Sequence, residues 1–285
     1  MSELRKLVSE ELTLAVDPRV TAMAKAIAAE HGSASRAVLF YGSCLREKQL
    51  DGLMLDFYLI VSNYRTAYGK RWLAAANRLI PPNVFYFEKD GLVAKYAVLS
   101  EADFHRLNGP ETSSVAVWAR FAQPSRLVWA ASAAARKGAI DAVSRAAPTL
   151  LGAAGKRPKE KPLDWWRRAF TLTYSAELRA ERAGRHASVV DADRERYVRF
   201  TGPAAAAIER EPKTSWRWRR IQGKALSVLR LAKASATFAG GADYIAWKIN
   251  RHAGTEIRLK PWQQRHPLLA AISLLPRLIR SGAVR

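Results

Sequence analysis

The chain of 285 residues contains a single cysteine, Cys44. One thiol excludes an intramolecular disulfide and is typical of a reducing compartment. The sequence also lacks any apolar run near the ~20 residues that a helix needs to span a bilayer. The first residues show no apolar core of a secretory signal. We therefore expect a cytoplasmic protein that would reach a membrane only from its surface.

Acidic residues are scarce as well. The chain has 25 Asp and Glu against 47 Lys and Arg, so its formal net charge is +22. The last quarter, residues 213–285, contains only two acids, Asp243 and Glu256. A basic excess of this size attracts polyanions such as nucleic acids or anionic membranes. With 49% hydrophobic residues, the chain is expected to fold into one or two globular domains.

The most informative stretch begins at Tyr41, Gly42 and Ser43, which follow a short apolar strand. A polar loop then leads to a second apolar strand at 54–61, with Asp56 near its start. Glycine allows the backbone to approach a triphosphate closely, and the serine hydroxyl and nearby amides can donate to phosphate oxygens. Asp56 would hold a divalent cation, Mg²⁺, that bridges those phosphates. The pattern predicts a nucleotide-transfer site.

A polymerase-β-like nucleotidyltransferase usually carries a second carboxylate two residues from the first. Here those two positions are Met54 and Tyr58. Either the site is degenerate, or its other metal ligands come from elsewhere in the chain. The nearest acidic candidates are Glu88 and Asp51.

Further segments extend this pattern in order along the chain. They are 80–87 with the pair Pro81 and Pro82, 92–100 with Lys95 and Tyr96, 119–124 with Arg120, and 172–179. From about residue 36 to about residue 240 the chain resembles the mitochondrial-type phosphatidate cytidylyltransferases, the translocator-maintenance family that makes CDP-diacylglycerol for cardiolipin. That family also has a single Asp on its second strand. Two departures are Cys44 and Ala97, each at a position where the family has glycine.

Several residues are candidates for cationic and metal contacts. Lys95 lies on a strand expected to neighbour that of Asp56, so we expect it to be a catalytic cation that contacts the triphosphate. Arg46, in the loop after Ser43, is a second cation for the nucleotide. Glu88 is a candidate further ligand for Mg²⁺.

The resemblance adds a group of nucleotide-binding residues from the second half of the chain. It implies that the segment containing Tyr174, Ser175, Glu177 and Arg179 lies near the nucleotide. With Gly42, Ser43 and Arg46, the residues Tyr174, Ser175 and Arg179 make up the expected nucleotide-binding set.

The expected fold class is α/β: a polymerase-β-like nucleotidyltransferase domain over 1–150, a mainly helical domain over 151–240, and a basic amphipathic tail over 241–285 that ends in an amphipathic helix. The Ala-rich stretch 124–151 is predicted to be helical, and a basic connector containing Gly and Pro follows it. The helix predicted at 267–280 has one apolar face and would bind an anionic membrane. The alternative is that this helix docks onto its own domain.

A second basic and aromatic cluster comprises Trp216, Arg217, Trp218, Arg219 and Arg220. Indole rings settle at the depth of lipid headgroups and Arg binds lipid phosphate, so the cluster fits a membrane interface. Packing of the Trp rings into the helical domain explains it equally well.

These observations lead to an expected function. The protein would be a peripheral enzyme on the cytoplasmic face of the inner membrane that converts CTP and phosphatidate to CDP-diacylglycerol and pyrophosphate. An RNA-directed or other small-molecule nucleotidyltransferase is the alternative, although the missing paired carboxylate argues against a nucleic-acid partner. A third hypothesis is a non-catalytic membrane-binding protein on a decayed transferase fold. The sequence leaves the formation of a homo-oligomer open.

Overall fold

The computed structural model describes residues 2–46, 50, 52–178, 189–208 and 214–237. In these residues five strands form one mixed sheet in the order β3-β4-β2-β1-β5. β2 and β4 are parallel, and the other neighbours are antiparallel. The strands are β1 (Ser35–Tyr41), β2 (Met54–Val61), β3 (Asn83–Lys89), β4 (Leu92–Ser100) and β5 (Ser125–Ala130).

Helices surround this sheet, as the predicted α/β class requires. The α-helices of the described residues include α1 (Glu3–Leu12), α2 (Pro18–Ala29), α3 (Tyr64–Ala67), α4 (Arg71–Leu79), α5 (Glu101–Asn108), α6 (Trp118–Phe121), α7 (Ala133–Ser144), α8 (Ala146–Ala154), α9 (Pro162–Ala176), α10 (Arg194–Ala206) and α11 (Trp216–Thr237). Several begin at side-chain caps that the sequence supplies. The Asp17 carboxylate accepts from the Arg19 amide at α2, where Pro18 occupies the first turn.

The sheet separates two hydrophobic cores because successive side chains of a strand point to opposite faces. Phe57 and Leu59 of β2 belong to the core beneath α2 and α3. Tyr58 and Ile60 belong to the other core, which α1 and the helices from α5 to α10 cover. Asp56 shares the face of Tyr58, so it points toward the side of the sheet where most of the helices pack.

One helix prediction is wrong at its start. Residues 124–151 were expected to be helical, but Ser125–Ala130 forms β5 before α7 and α8 begin. β5 pairs with the edge of β1, where Tyr41 lies opposite Ser125. Leu127, Val128 and Trp129 suit a pleated surface, and this pairing overrides the helical preference of the alanines that follow.

The predicted boundary at residue 150 lies inside a helix. α8 continues to Ala154, and the chain then turns at Gly155 with φ +62°. Leu151 and Trp166, from either side of the expected connector, belong to the same hydrophobic core. The division into domains stays a prediction, and the tail 241–285 lies outside the described residues. Among the described helices, none has both the length and the apolar character needed to cross a membrane.

Candidate functional site

Asp56 and Lys95 face each other on two parallel strands in the middle of the sheet. They are register partners in the ladder between β2 and β4, so the structure makes them neighbours as the sequence predicts. The Lys95 Nζ lies 2.8 Å from the Asp56 Oδ1, and the two side chains are 25% and 19% exposed. The carboxylate and the cation are thus partly exposed as side chains, although the Asp56 Oδ1 that contacts Lys95 is itself buried.

The turn at Gly42 passes directly against this carboxylate. Tyr41, at the end of β1, is the register partner of Asp56. Gly42 follows with φ +95°, a conformation that favours glycine. A Cβ at this position would lie 3.1 Å from the Asp56 Oδ2. Glycine is needed here both for the backbone conformation and for the close approach to Asp56, and the exposed Ser43 stands next to it.

Cys44 does not point into this site. Its side chain is buried, and its Sγ lies 3.5 Å from the carbonyl oxygen of Met54, to which it donates. The other departure from the family pattern, Ala97, is also buried, opposite Tyr58 in the ladder. Cys44 therefore packs in the core on the opposite side of the sheet from the Asp56 carboxylate, whereas Ala97 is packed on the same side as Asp56 and Lys95.

Glu88 is not brought next to Asp56. It lies on β3, and β4 separates β3 from β2. With strands about 4.8 Å apart, the two backbones are roughly 10 Å from each other. Glu88 is exposed and its Oε2 accepts a hydrogen bond of 2.8 Å from the Tyr86 hydroxyl. In the part of the chain that the structure describes, no three His, Cys, Asp or Glu side chains are grouped to hold a metal ion.

A single carboxylate can nevertheless fit magnesium. Mg²⁺ retains several waters and is commonly bound by one or two carboxylates together with substrate phosphates. Asp56 is partly exposed and has one oxygen against the Gly42 turn. Asp56 would be the protein ligand, and the nucleotide would supply the phosphate oxygens.

The other predicted nucleotide-binding residues are not all placed at this site. Ser175 is exposed, and its hydroxyl donates to the Leu172 carbonyl at 2.8 Å within α9. Tyr174 packs partly buried against the core. Arg46 ends the turn Ser43–Arg46, and Arg179 lies outside the described residues, as does Asp51.

The carboxylate that α9 presents to the interior is Glu177. It directly follows the helix and is buried. Its Oε2 lies 3.8 Å from Arg120 Nη1 on α6, and its Oε1 lies 3.6 Å from Arg230 Nη1 on α11. α11 can cross the end of α9 here because Gly223 has no side chain: a Cβ would collide with the Ala176 carbonyl. Three helical segments thus meet at one carboxylate.

The charges of Arg120, Arg230 and Glu177 influence the pKa of Tyr58, as the charge of Asp56 does. Burial raises the pKa of Tyr58, while the charges of Arg120 and Arg230 oppose that rise. The negative charges of Glu177 and Asp56 also act on Tyr58 and favour its neutral form. The two groups of charges are therefore neighbours across a buried aromatic side chain.

The end of α11 is fixed to the turn before β3. The Arg230 Nε donates to the Pro81 carbonyl at 2.8 Å. The Lys233 ammonium donates to the Pro82 carbonyl at 2.8 Å and also to the Ile80 carbonyl. Burial, with a smaller contribution from Arg230, lowers the pKa of Lys233 to about 7. These contacts orient Arg230 toward Glu177.

Sequence reasoning missed part of this arrangement. Glu177 was expected near the nucleotide and Arg120 lies in another segment that carries the resemblance, but their meeting was not predicted. Arg230 lies in a regular basic helix, and nothing in its local sequence distinguishes it from Arg217 or Arg220.

No protein-family model matches the chain, and no curated protein matches it. The chemistry of the site therefore carries the functional argument: a partly exposed carboxylate, a lysine paired with it, a glycine turn pressed against it, and two arginines beyond Tyr58.

Proposed function

We propose that the protein is a peripheral cytidylyltransferase that converts CTP and phosphatidate to CDP-diacylglycerol and pyrophosphate. The observation that carries the proposal is the Asp56–Lys95 pair beneath the Gly42 turn. It combines a ligand for Mg²⁺, a cation, and a backbone turn without a side chain, which a triphosphate site requires. The resemblance along the chain supports the choice of CTP and phosphatidate.

The reaction needs orientation and charge neutralisation more than covalent chemistry. An oxygen of the phosphatidate phosphate forms a bond to the α-phosphorus of CTP, and the bond from that phosphorus to the pyrophosphate oxygen breaks. Bound Mg²⁺ would neutralise charge on the triphosphate, with Asp56 holding it. Lys95 adds positive charge beside the same phosphates, and Gly42 leaves room for them.

The described part of α11 supports the membrane partner. Trp218, Ile221 and Leu229 are exposed, and their spacing places them along one side of the helix. We call these three residues the α11 apolar stripe. Arg217, Arg220 and Lys224 are exposed on the same helix. An apolar stripe beside cations fits an anionic lipid surface, whereas an RNA surface would not need the apolar residues.

In the cluster of Trp and Arg residues at 216–220, some side chains pack into the protein and others are exposed. Trp216 packs against the core and its Nε1 donates to the Ala153 carbonyl at 2.9 Å. Arg219 is buried beside Trp216 and donates to the carbonyls of Thr112 and Ser113. Trp218 instead is exposed. Part of the cluster is therefore core, and the remainder is available to a membrane.

Release of pyrophosphate tests the reaction. The full chain is incubated with CTP and Mg²⁺, with and without liposomes that contain phosphatidate, and the lipids are extracted to detect CDP-diacylglycerol. We expect release only when both substrates are present. Asp56→Asn should lower the rate by on the order of 10³-fold, since the ligand for the cation is lost.

The control is Asp141→Asn, which removes the same charge from a carboxylate paired with Arg5 and Lys137 away from the site. This variant should retain its activity. Full activity of Asp56→Asn would overturn the site assignment. Release that depends on RNA instead of phosphatidate would support the RNA-directed alternative.

Vesicle sedimentation tests the membrane partner separately. Ile221→Ser removes an apolar side chain from the α11 apolar stripe, and Val198→Ser does the same on α10; the two residues are 56% and 54% exposed. We expect Ile221→Ser to weaken binding to anionic vesicles by about tenfold, the effect of losing one buried aliphatic side chain. Equal binding by the two variants would contradict membrane contact through α11.

A further inference from the structure

Arg120 and Arg230 approach the same carboxylate from two different helices. Their Nη1 atoms lie 3.8 and 3.6 Å from the two oxygens of Glu177. Charge-assisted hydrogen bonds between nitrogen and carboxylate oxygen are usually about 2.7–2.9 Å long. The two guanidinium groups are therefore near Glu177 without forming close hydrogen bonds to it.

Other arginines in this protein form close hydrogen-bonded ion pairs with carboxylates. Arg168 contacts Glu160 through two hydrogen bonds, Nε to Oε1 and Nη2 to Oε2, both of 2.7 Å. Arg167 donates to Asp191 at 2.6 Å. Because the same fold builds such close contacts elsewhere, the longer distances at Arg120 and Arg230 set these two residues apart.

Arg120 retains donors for a ligand. Within the described residues, its guanidinium makes one hydrogen bond, from Nη1 to the Ala116 carbonyl. Nε and Nη2 make none to those residues, and the side chain is 31% exposed. A planar guanidinium with two nitrogens that donate to none of the described residues has the geometry to contact two oxygens of one phosphate.

Two nitrogens of the Arg230 guanidinium donate to neighbouring residues, and the third faces Glu177. Its Nε donates to Pro81 and its Nη2 lies 3.3 Å from the Ser114 hydroxyl, to which it donates. Nη1 then faces Glu177, and the side chain is 19% exposed. Because these contacts fix the side chain, a ligand would find the nitrogen already oriented.

The pair lies beside the Asp56 site. Asp56 and Tyr58 are two residues apart on one face of β2. The Tyr58 ring packs against that of Phe121, the residue after Arg120, with ring centroids 5.1 Å apart. The charges of both arginines also act on the Tyr58 hydroxyl. Asp56 is also among the groups whose charge acts on Arg120. Tyr58 occupies one of the two positions where the polymerase-β-like pattern places its second carboxylate, so cations lie near a position where an anion was expected.

We propose that Arg120 and Arg230 form a phosphate-binding pair next to Asp56, with Glu177 positioning both guanidinium groups. The choice of CTP or phosphatidate as the compound whose phosphate binds here rests on the proposed function. Two cations share one carboxylate in this cluster, so the cluster has a net positive charge before a ligand arrives. A phosphate group provides the balancing negative charge and acceptor oxygens for the guanidinium nitrogens.

The electrostatics of the pair agree with this geometry. Burial lowers the pKa of Arg230, and the adjacent Arg120 lowers it further, against the opposing effect of Glu177. Two guanidinium groups held near each other repel, and a bound anion reduces that repulsion.

Binding of inorganic pyrophosphate to the full chain, measured by calorimetry with EDTA present, tests the proposal without turnover. Arg120→Gln and Arg230→Gln should each weaken binding by about tenfold or more, since each removes charge-assisted hydrogen bonds. The control is Arg167→Gln, which removes the same charge from an arginine on α9 that forms ion pairs with Asp164 and Asp191. It should bind like the wild type. Equal binding by all three variants, or no binding by the wild type, would overturn the pair.

Glu177→Gln separates a binding role from a structural one. Removal of this negative charge should tighten pyrophosphate binding, because the pair becomes more positive while the amide oxygen retains the shape of the site. Thermal unfolding of each variant shows whether the fold is kept. Weaker pyrophosphate binding by Glu177→Gln with an unchanged unfolding temperature would contradict the proposal.

Two further titrations identify the source of the phosphate. Loss of CTP binding in the arginine variants assigns the pair to the triphosphate, and loss of binding to a soluble short-chain phosphatidate assigns it to the acceptor. No change in either titration overturns the proposal. If pyrophosphate binding depends on the arginines but no CTP-dependent release occurs, the phosphate site stands and the proposed reaction fails.

Discussion

Two regions of the molecule use charged side chains in opposite ways. Between α1 and α10, Arg196 and Glu11 have side chains only 5% and 9% exposed, and Arg196 Nη2 donates to Glu11 Oε1 at 2.9 Å. Arg196 also donates to the Ala122 carbonyl at 3.1 Å. In the Asp56–Lys95 pair, the two side chains are 19% and 25% exposed. The Arg196–Glu11 pair is therefore shielded from solvent, whereas the pair that we propose to bind a ligand is partly exposed.

The largest expected effect on stability comes from breaking the buried ion pair between Arg196 and Glu11. Arg196→Met leaves the buried Glu11 carboxylate without its cation, and such a loss costs about 3–5 kcal/mol. Lys95→Met should cost under about 1 kcal/mol, because the partly exposed Asp56 can still be hydrated. Unfolding in urea measures both changes in free energy.

A double variant sharpens this difference. Glu11→Leu combined with Arg196→Met removes both buried charges, so it should recover part of the stability lost in the single variant. Similar losses for Lys95→Met and Arg196→Met would show that the two regions do not differ as their exposure indicates.

The next effect concerns the glycine turn. Gly42→Ala forces a side chain into a left-handed conformation, at a cost of roughly 1–2 kcal/mol, and brings a Cβ to 3.1 Å from the Asp56 Oδ2. Gly91→Ala, at φ +73°, has the same backbone cost but meets no atom within 4 Å. We expect similar losses of stability from the two variants.

Gly42→Ala and Gly91→Ala should differ in their rates of pyrophosphate release. Gly42→Ala should lower pyrophosphate release by about tenfold or more because the carboxylate must shift, and small misplacements in a site are costly. Gly91→Ala should leave release unchanged. Equal activities in the two variants would show that the Gly42 turn does not need its close approach to Asp56.

The same contrast explains what could be predicted from the sequence. β2 was predicted with its observed bounds because its apolar pattern is a local signal, and Lys95 was predicted beside Asp56. β5 was missed because its short sequence leads directly into an Ala-rich helical stretch, and its pairing with β1 overrides that preference. Ser175 was expected at the nucleotide, but its hydroxyl is used within α9.

Charges that meet only through tertiary packing are the hardest to predict. Arg230 reaches Pro81 and Glu177 because α11 crosses α9 at Gly223, a contact between helices with no sequence signature. Glu88 was named as a candidate ligand from its position in the sequence, which does not reveal that β4 lies between its strand and that of Asp56.

The last effect is a dependence of stability on pH at Lys233, in α11. The pKa of Lys233 is lowered to about 7 from its ordinary value of 10.5, mainly by burial. Between these two values the unfolded chain binds more protons at this group than the folded chain does, so this lysine makes the protein more stable as the pH rises. Below about pH 7 both states hold the proton, and the penalty of burying the charge is fully present.

Lys233→Met removes this dependence, although it also removes the hydrogen bonds to the carbonyls of Ile80 and Pro82. The free energy of unfolding of the wild type minus that of Lys233→Met should therefore increase as the pH rises above about 7. Lys137→Met is the control, because Lys137 is 71% exposed in its pair with Asp141. A difference that is constant with pH would mean that Lys233 stays charged in the folded protein, and that the carbonyls it contacts offset the cost of its burial.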